Sequence, residues 1–100
     1  MILIWKENRM GELARFEDIR IKMYPMDTQK HKEPHFHVIL TDGKKASISI
    51  ANGKLLEGKL NKRQRDFIKA WMLIHKEELW DRWNKAVSGE FIEKIEPKQI

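Results

Sequence analysis

Cysteine is absent from the sequence, which excludes a disulfide framework, a thiol nucleophile and a zinc site with cysteine ligands. No apolar run approaches the ~20 residues that a membrane-spanning helix needs, so we expect no membrane partner. The chain also lacks internal repeats, low-complexity segments and a glycine-rich phosphate loop. Its carboxylates are scattered, which disfavours the compact Asp/Glu set of a two-metal nuclease.

The composition that remains is that of a small folded domain. The 100 residues are 41% hydrophobic and 35% charged, and they include 4 tryptophans, so the chain is too apolar and too aromatic to be disordered. We expect residues 1–100 to form a single domain, with residues 89–100 as a C-terminal tail. Residues 1–9 are an N-terminal extension, which forms either an extra edge strand or a loose tail. The apolar start, Met1–Trp5, is shorter than the core of a secretory signal, which favours a cytoplasmic protein. The net charge of +5 permits an acidic partner or nucleic acid and proves neither.

The first half of the chain alternates short strand-like runs with turns. The dipeptides Asp42-Gly43 and Asn52-Gly53 are typical of tight hairpins, because they readily adopt positive φ. Successive hairpins predict an antiparallel β-meander of four to five strands. The candidate strands are Glu12–Phe16, Ile19–Tyr24, Pro34–Leu40, Lys45–Ala51 and Lys54–Glu57. Apolar and polar residues alternate along them, so one face of the sheet is apolar and needs a covering layer.

The second half of the chain supplies that layer. Asn61 is a favourable N-cap residue, and Gln64 lies three residues later, as a capping box requires. Apolar residues then recur at helical spacing as far as Val87, with a break near His75. The sequence therefore predicts an α+β fold, in which one or two C-terminal helices pack on one face of the meander.

The sharpest chemical feature is the segment Pro34–Val38, where His35 and His37 alternate with apolar residues. Histidines at positions i and i+2 point to the same side of a strand, ~6–7 Å apart, and can share a divalent metal ion such as zinc. His31 and His75 are weaker candidates for further metal ligands. The same pair can instead act as catalytic acid and base, since histidine titrates near neutral pH. A structural role, or a contact with a partner, is the third interpretation.

A basic cluster lies at the start of the predicted helix and consists of Lys59, Lys62, Arg63, Arg65 and Lys69. Basic side chains at a helix start suit phosphate groups, so the cluster is a candidate for binding nucleic acid or a protein partner. The solvated face of an ordinary amphipathic helix is the alternative. Trp80 lies off the apolar stripe, and it is either an exposed contact for a partner or a base or a residue partly buried beneath the C-terminal tail.

Several segments together resemble a known bacterial family. They are Arg15–Ile21, Met23-Tyr24, Pro34–Val38, Asn52–Leu60, His75–Leu79 with Trp83, and Lys94–Pro97. In this combination they are similar to the domain-of-unknown-function 4160 family, over residues 10–97. The resemblance implies a small bacterial protein whose gene often lies beside that of another small domain, in what look like toxin–antitoxin operons. It supplies no established catalytic residues, although the family's signature histidines correspond to His35 and His37.

Three hypotheses follow from these observations. The first is a cytoplasmic component of a toxin–antitoxin-like module that binds a small protein encoded by a neighbouring gene. A broader version of this hypothesis adds binding to nucleic acid. It would use the sheet edge, the histidine face and the basic cluster. The second is an RNA- or nucleotide-cleaving toxin that depends on His35 and His37, with or without a metal. The third is a DNA-binding regulator that uses the basic helix. Only the second of these is an enzyme.

Overall fold

The computed structural model of the chain describes residues 11–24 and 33–96. In this part of the chain, five strands precede two helices. The strands are β1 (Glu12–Phe16), β2 (Ile19–Lys22), β3 (His35–Leu40), β4 (Lys45–Ser49) and β5 (Leu55–Gly58), and the helices are α1 (Lys62–Ile74) and α2 (Lys76–Val87). The strands form one antiparallel sheet in the order β1-β2-β3-β4-β5. The predicted α+β fold and its meander are therefore confirmed.

Tight turns connect β3 to β4 and β4 to β5 at the two dipeptides that predict them. Gly43 and Gly53 have φ angles of +92° and +73°, a region that glycine enters without the strain caused by a Cβ atom. The side-chain oxygens of Asp42 and Asn52 each accept a hydrogen bond from the backbone N–H two residues later, at 2.9 Å. These local bonds fix the two turns, and with them the order of the last three strands.

One face of the sheet forms the core together with α1. Phe36 and Val38 of β3 lie on this face and are fully buried. The indole of Trp71, on α1, packs edge-on to Phe36 with 6.1 Å between ring centroids, and to Phe16 of β1 with 6.3 Å. The predicted packing of a helix on the apolar face is therefore confirmed.

Both predicted boundaries of the first helix are present. The Asn61 side chain accepts a hydrogen bond from Gln64 N at 2.8 Å, and the Gln64 side chain accepts one from Asn61 N at 3.0 Å, so the capping box forms. The helical pattern breaks at His75, whose backbone angles, φ −113° and ψ 24°, depart from those of a helix. The His75 side chain is 3% exposed, so the break lies within the core.

The opposite face of the sheet carries the polar side chains that the strand alternation assigns to it, but several of them are buried. His35 of β3 lies opposite Ser49 of β4, and His37 lies opposite Ser47. His35, Ser47 and Ser49 are each no more than 3% exposed. The ring of Trp83, on α2, packs against His35 with 5.3 Å between centroids. Strand alternation alone does not predict this tertiary contact.

Residues 89–96 form neither helix nor strand, yet they are packed against the domain. Ile92 and Ile95 are buried. Arg82 of α2 donates hydrogen bonds to the backbone carbonyl oxygens of Glu93 and Lys94, at 2.9 Å and 2.8 Å. The predicted extension at residues 1–9 and the candidate ligand His31 lie outside the described residues. In the described ranges, neither helix is long and apolar enough to cross a bilayer.

Candidate functional site

A groove with mainly apolar walls, here called the apolar groove, lies between β1, α1 and residues 94–96. Its volume is about 460 Å³, which is within the range of pockets that bind ligands. Its apolar lining includes Phe16, Phe67, Ala70, Trp71, Ile74 and Ile95. Four of these residues, at positions 67, 70, 71 and 74, follow the spacing of one helix face, so α1 forms one wall along its length.

Phe67 and Ala70 shape the open side of this wall. Phe67 is 37% exposed and packs edge-on to Phe16 with 4.8 Å between ring centroids. Ala70 is also exposed, and its small side chain leaves room beside Trp71. The groove is therefore open to solvent along α1, and a side chain from outside can enter it.

The second wall of the apolar groove is β1, which is an edge strand in the sheet that residues 11–24 and 33–96 form, because only β2 lies beside it there. On its outer side, the Leu13 carbonyl oxygen accepts a hydrogen bond from Ile95 N at 2.9 Å. A second segment of the chain therefore already forms one backbone hydrogen bond with this edge, at Ile95.

The β1–β2 register is irregular between Glu12 and Ala14, but it is regular from Ala14 to Phe16. Phe16 and Ile19 flank a two-residue turn as a hydrogen-bonded pair, so the backbone of Arg15, one residue earlier, faces outward.

Charged side chains lie at the rim of the apolar groove. Arg15 donates two hydrogen bonds to the Glu12 carboxylate, at 3.0 Å and 3.2 Å. Burial raises the pKa of Glu12, but the hydrogen bonds and charge of Arg15 outweigh this effect and hold the pKa below its usual value. The guanidinium of Arg15 is therefore tied to a side chain of β1 itself.

The two candidate catalytic histidines differ in their surroundings. The ring centroids of His35 and His37 are 5.1 Å apart. His35 Nδ1 donates a hydrogen bond to the Glu33 carbonyl oxygen at 2.9 Å, which fixes the tautomer of the neutral ring with its lone pair on Nε2. His37 is half-buried and its Nδ1 lies 3.4 Å from Ser47 Oγ. The structure therefore brings the pair together on one face, with only His37 partly open to solvent.

Among the described residues, the structure brings together fewer candidate metal ligands than the sequence analysis considers. Among residues 11–24 and 33–96, no group of three or more histidine or carboxylate side chains is placed to hold one metal ion. His75 lies in the apolar groove, with its Nδ1 atom 3.5 Å from Glu78 Oε1. A zinc site at His35 and His37 stays a prediction.

The basic cluster divides into paired and unpaired side chains. Lys62 binds Asp66 one turn along α1, at 2.6 Å, and Arg63 binds Asp18 of the β1–β2 turn, at 2.7 Å. The remaining members are exposed and form no ion pair with the described residues; they are Lys59, Arg65 and Lys69. Trp80 is half-buried and packs against the core.

The comparisons with known proteins give one match. A family model described as "Domain of unknown function (DUF4160)" matches residues 18–84 of the chain. No curated protein and no solved structure matches the chain. The description of the family names no activity.

Proposed function

The chain belongs to the DUF4160 family, because the matching model covers more than half of it, and we propose that this member is a small cytoplasmic binding protein of a bacterial toxin–antitoxin-like module. Its partner is a small protein encoded by a neighbouring gene, as the resemblance implies. The apolar groove receives an extended segment of that partner, which pairs with the outer edge of β1.

The observation that carries this proposal is the combination of an edge strand with an apolar cavity beside it. Recognition by strand addition uses backbone hydrogen bonds for affinity and side-chain pockets for specificity. Here the outer backbone of Arg15 supplies the edge, and the groove below it, with a volume of about 460 Å³, supplies the pocket. Ile95 already covers this edge at Leu13, so a partner strand would extend the pairing to Arg15, where the edge borders the apolar cavity.

The size of the groove indicates which partner segment fits. Burying one leucine- or phenylalanine-sized side chain contributes about 2 kcal/mol, and each backbone hydrogen bond to the edge adds about 1 kcal/mol. A segment that places one large apolar side chain between Phe67 and Ile74 therefore accounts for a binding contribution of several kcal/mol. Such a partner also stabilises this small domain by mass action.

The test is isothermal titration calorimetry with the purified product of the neighbouring gene. Ala70→Arg places a long charged side chain in the groove, and arginine is a good helix former, so the fold is retained. Asn84→Arg adds the same side chain at an exposed position of α2 outside the groove and is the matched control. We expect Ala70→Arg to weaken binding at least about tenfold, as blocking a central contact does, and Asn84→Arg to leave it unchanged.

Two outcomes contradict the proposal. One is a wild-type protein that does not bind the neighbouring gene product at micromolar concentrations. The other is an equal loss of binding in the two arginine variants, which would indicate a charge effect spread over the surface.

The histidine face supports a second candidate, a toxin that cleaves RNA or nucleotides. Metal-bound histidines commonly donate their second ring N–H to a backbone carbonyl, and the bond from His35 Nδ1 to Glu33 O has this form. Zinc at His35 and His37 would supply a Lewis acid for phosphodiester cleavage. Against it, the His35 side chain is 1% exposed. Absence of zinc from protein purified without a histidine tag, together with growth arrest that persists in His37→Ala, would rule this candidate out.

A further inference from the structure

A second groove lies on another face of α1, where the turn between β4 and β5 approaches the helix. It consists of two adjoining cavities of about 320 Å³ and 150 Å³, which share Asn52, Gly53 and Lys69 in their linings. Its basic residues are Lys54, Arg65, Lys69 and Lys76. We call it the cationic groove, because no carboxylate lines either cavity.

The positive charge of the cationic groove has no ion-pair partner among the described residues, although Asp66 attracts Arg65 and Lys69 at longer range. None of its four basic side chains forms an ion pair with the described part of the chain. Asp66 lies next to Arg65 in sequence, but its carboxylate is bound to Lys62 at 2.6 Å. Arg63 is likewise bound to Asp18. Arg65 and Lys69, which line the groove, are thus among the unpaired cations of the basic cluster.

The basic residues lie on both walls of this groove. Arg65 and Lys69 are one helical turn apart on α1, about 6 Å along its axis, and Lys54 lies on the opposite wall in the β4–β5 turn. The turn is held in shape by the Asn52 side chain, which accepts a hydrogen bond from Lys54 N at 2.9 Å. It lies against the helix at Gly53, where Met72 bounds the adjacent space.

We propose that the cationic groove binds a single strand of nucleic acid through its phosphates. Cations on two facing walls can contact one strand from both sides, and the backbone of a single strand follows a positively charged groove in this way. Lysine is depleted at protein–protein interfaces, and three of the four basic residues are lysines, so the composition favours phosphate over an acidic protein segment. Contacts to phosphates carry no sequence information, and no aromatic side chain lines the groove to stack on a base, so binding is independent of base sequence.

The number of basic residues sets the expected dependence on salt. Each phosphate that a single strand brings to a basic side chain contributes about −0.7 to the slope of log K against log salt concentration. Four contacts therefore predict a slope of about −3. The cationic groove lies on a different face of α1 from the apolar groove, so this inference does not depend on the proposed partner.

The test is fluorescence anisotropy with labelled single-stranded oligothymidylate and oligouridylate over a range of salt concentrations. Lys69→Gln removes the cation that lines both cavities. Lys44→Gln removes the same charge from the β3–β4 turn, at the opposite end of β4, where the side chain is 75% exposed. We expect a slope of about −3 for the wild type and Lys44→Gln, and of about −2 for Lys69→Gln, with weaker binding at every salt concentration.

Four results would overturn this inference. The first is an absence of binding at low salt, and the second is an equal effect of the two lysine substitutions. The third is tighter binding of duplex DNA than of either single strand, which would favour a DNA-binding regulator. The fourth is tighter binding of polyglutamate, which would favour an acidic protein. Far-UV circular dichroism of the two variants confirms that both are folded.

Discussion

His35→Ala is expected to destabilise the fold far more than His37→Ala, although the two histidines share one face of β3. His35 is 1% exposed, and its ring packs against Trp83 of α2. His37 is half-buried, and its ring packs against Tyr24, with 4.8 Å between centroids. The difference in burial implies that the first histidine is a structural link between the sheet and α2.

Three losses set the size of the effect at His35. Truncating a buried ring leaves a cavity that costs about 2 kcal/mol. The hydrogen bond from Nδ1 to Glu33 O, at 2.9 Å, is worth about 1 kcal/mol, and the ring contact with Trp83 adds about 0.5 kcal/mol or more. Together these terms give about 3–4 kcal/mol. The bond of His37 to Ser47 is long, at 3.4 Å, so its loss costs about 1 kcal/mol or less.

Urea unfolding followed by tryptophan fluorescence measures this difference. A loss of about 3 kcal/mol moves the midpoint by more than about 1 M urea for a domain of this size. His35→Asn is the informative companion, because its amide nitrogen can replace Nδ1 as the donor to Glu33 O, and it should recover about 1 kcal/mol. Equal losses in His35→Ala and His37→Ala, or no recovery in His35→Asn, would refute the reasoning.

Two further predictions concern a turn and a strand edge. The hydrogen bond from the Gln64 side chain is the main cause that lowers the pKa of Asp18. The ionised Asp18 carboxylate therefore stabilises the fold above pH ~4, and this stabilisation is lost as the pH falls through the lowered pKa. Thermal unfolding should therefore show Asp18→Asn less stable than wild type at pH 7, and equally stable in strong acid. Gly58→Ala should cost more than the ~1–2 kcal/mol of left-handed strain, because the new Cβ would collide with the Lys45 carbonyl oxygen. At Gly43 the new Cβ would meet no atom within 4 Å, so Gly43→Ala should cost only that strain. Equal midpoints for Gly58→Ala and Gly43→Ala in chemical unfolding would contradict this.

The elements that the sequence predicts well are those whose cause is local. The Asp42-Gly43 turn depends on one side-chain bond to a backbone N–H two residues away, and the capping box depends on Asn61 and Gln64 three residues apart. Alternation along β3 likewise places Phe36 in the core. In each case the determining residues lie within one turn or one strand of each other, so their spacing in the sequence is sufficient.

The sites depend on contacts between distant segments, which is why the sequence predicts them incompletely. The apolar groove exists because residues 94–96 return to β1, where Ile95 N binds Leu13 O. Lys54 joins the cationic groove because the β4–β5 turn approaches α1, and no local pattern connects it with Arg65. The available signal for the apolar groove was the spacing of Phe67 and the small Ala70, three residues apart on one helix face; the exposure of Phe67 is visible only in the structure. His35 also shows the limit of strand alternation, which predicts its face but not its burial beneath Trp83.

Hydrogen–deuterium exchange of the complex with the neighbouring gene product tests the central claim most directly. Strand addition protects outward-facing amides of an edge strand, so the account predicts slower exchange at Arg15 in β1 and little change in β5, at the other edge of the sheet. Protection confined to β5 or to His37, with β1 unchanged, would contradict the proposed groove and place the partner elsewhere on the sheet.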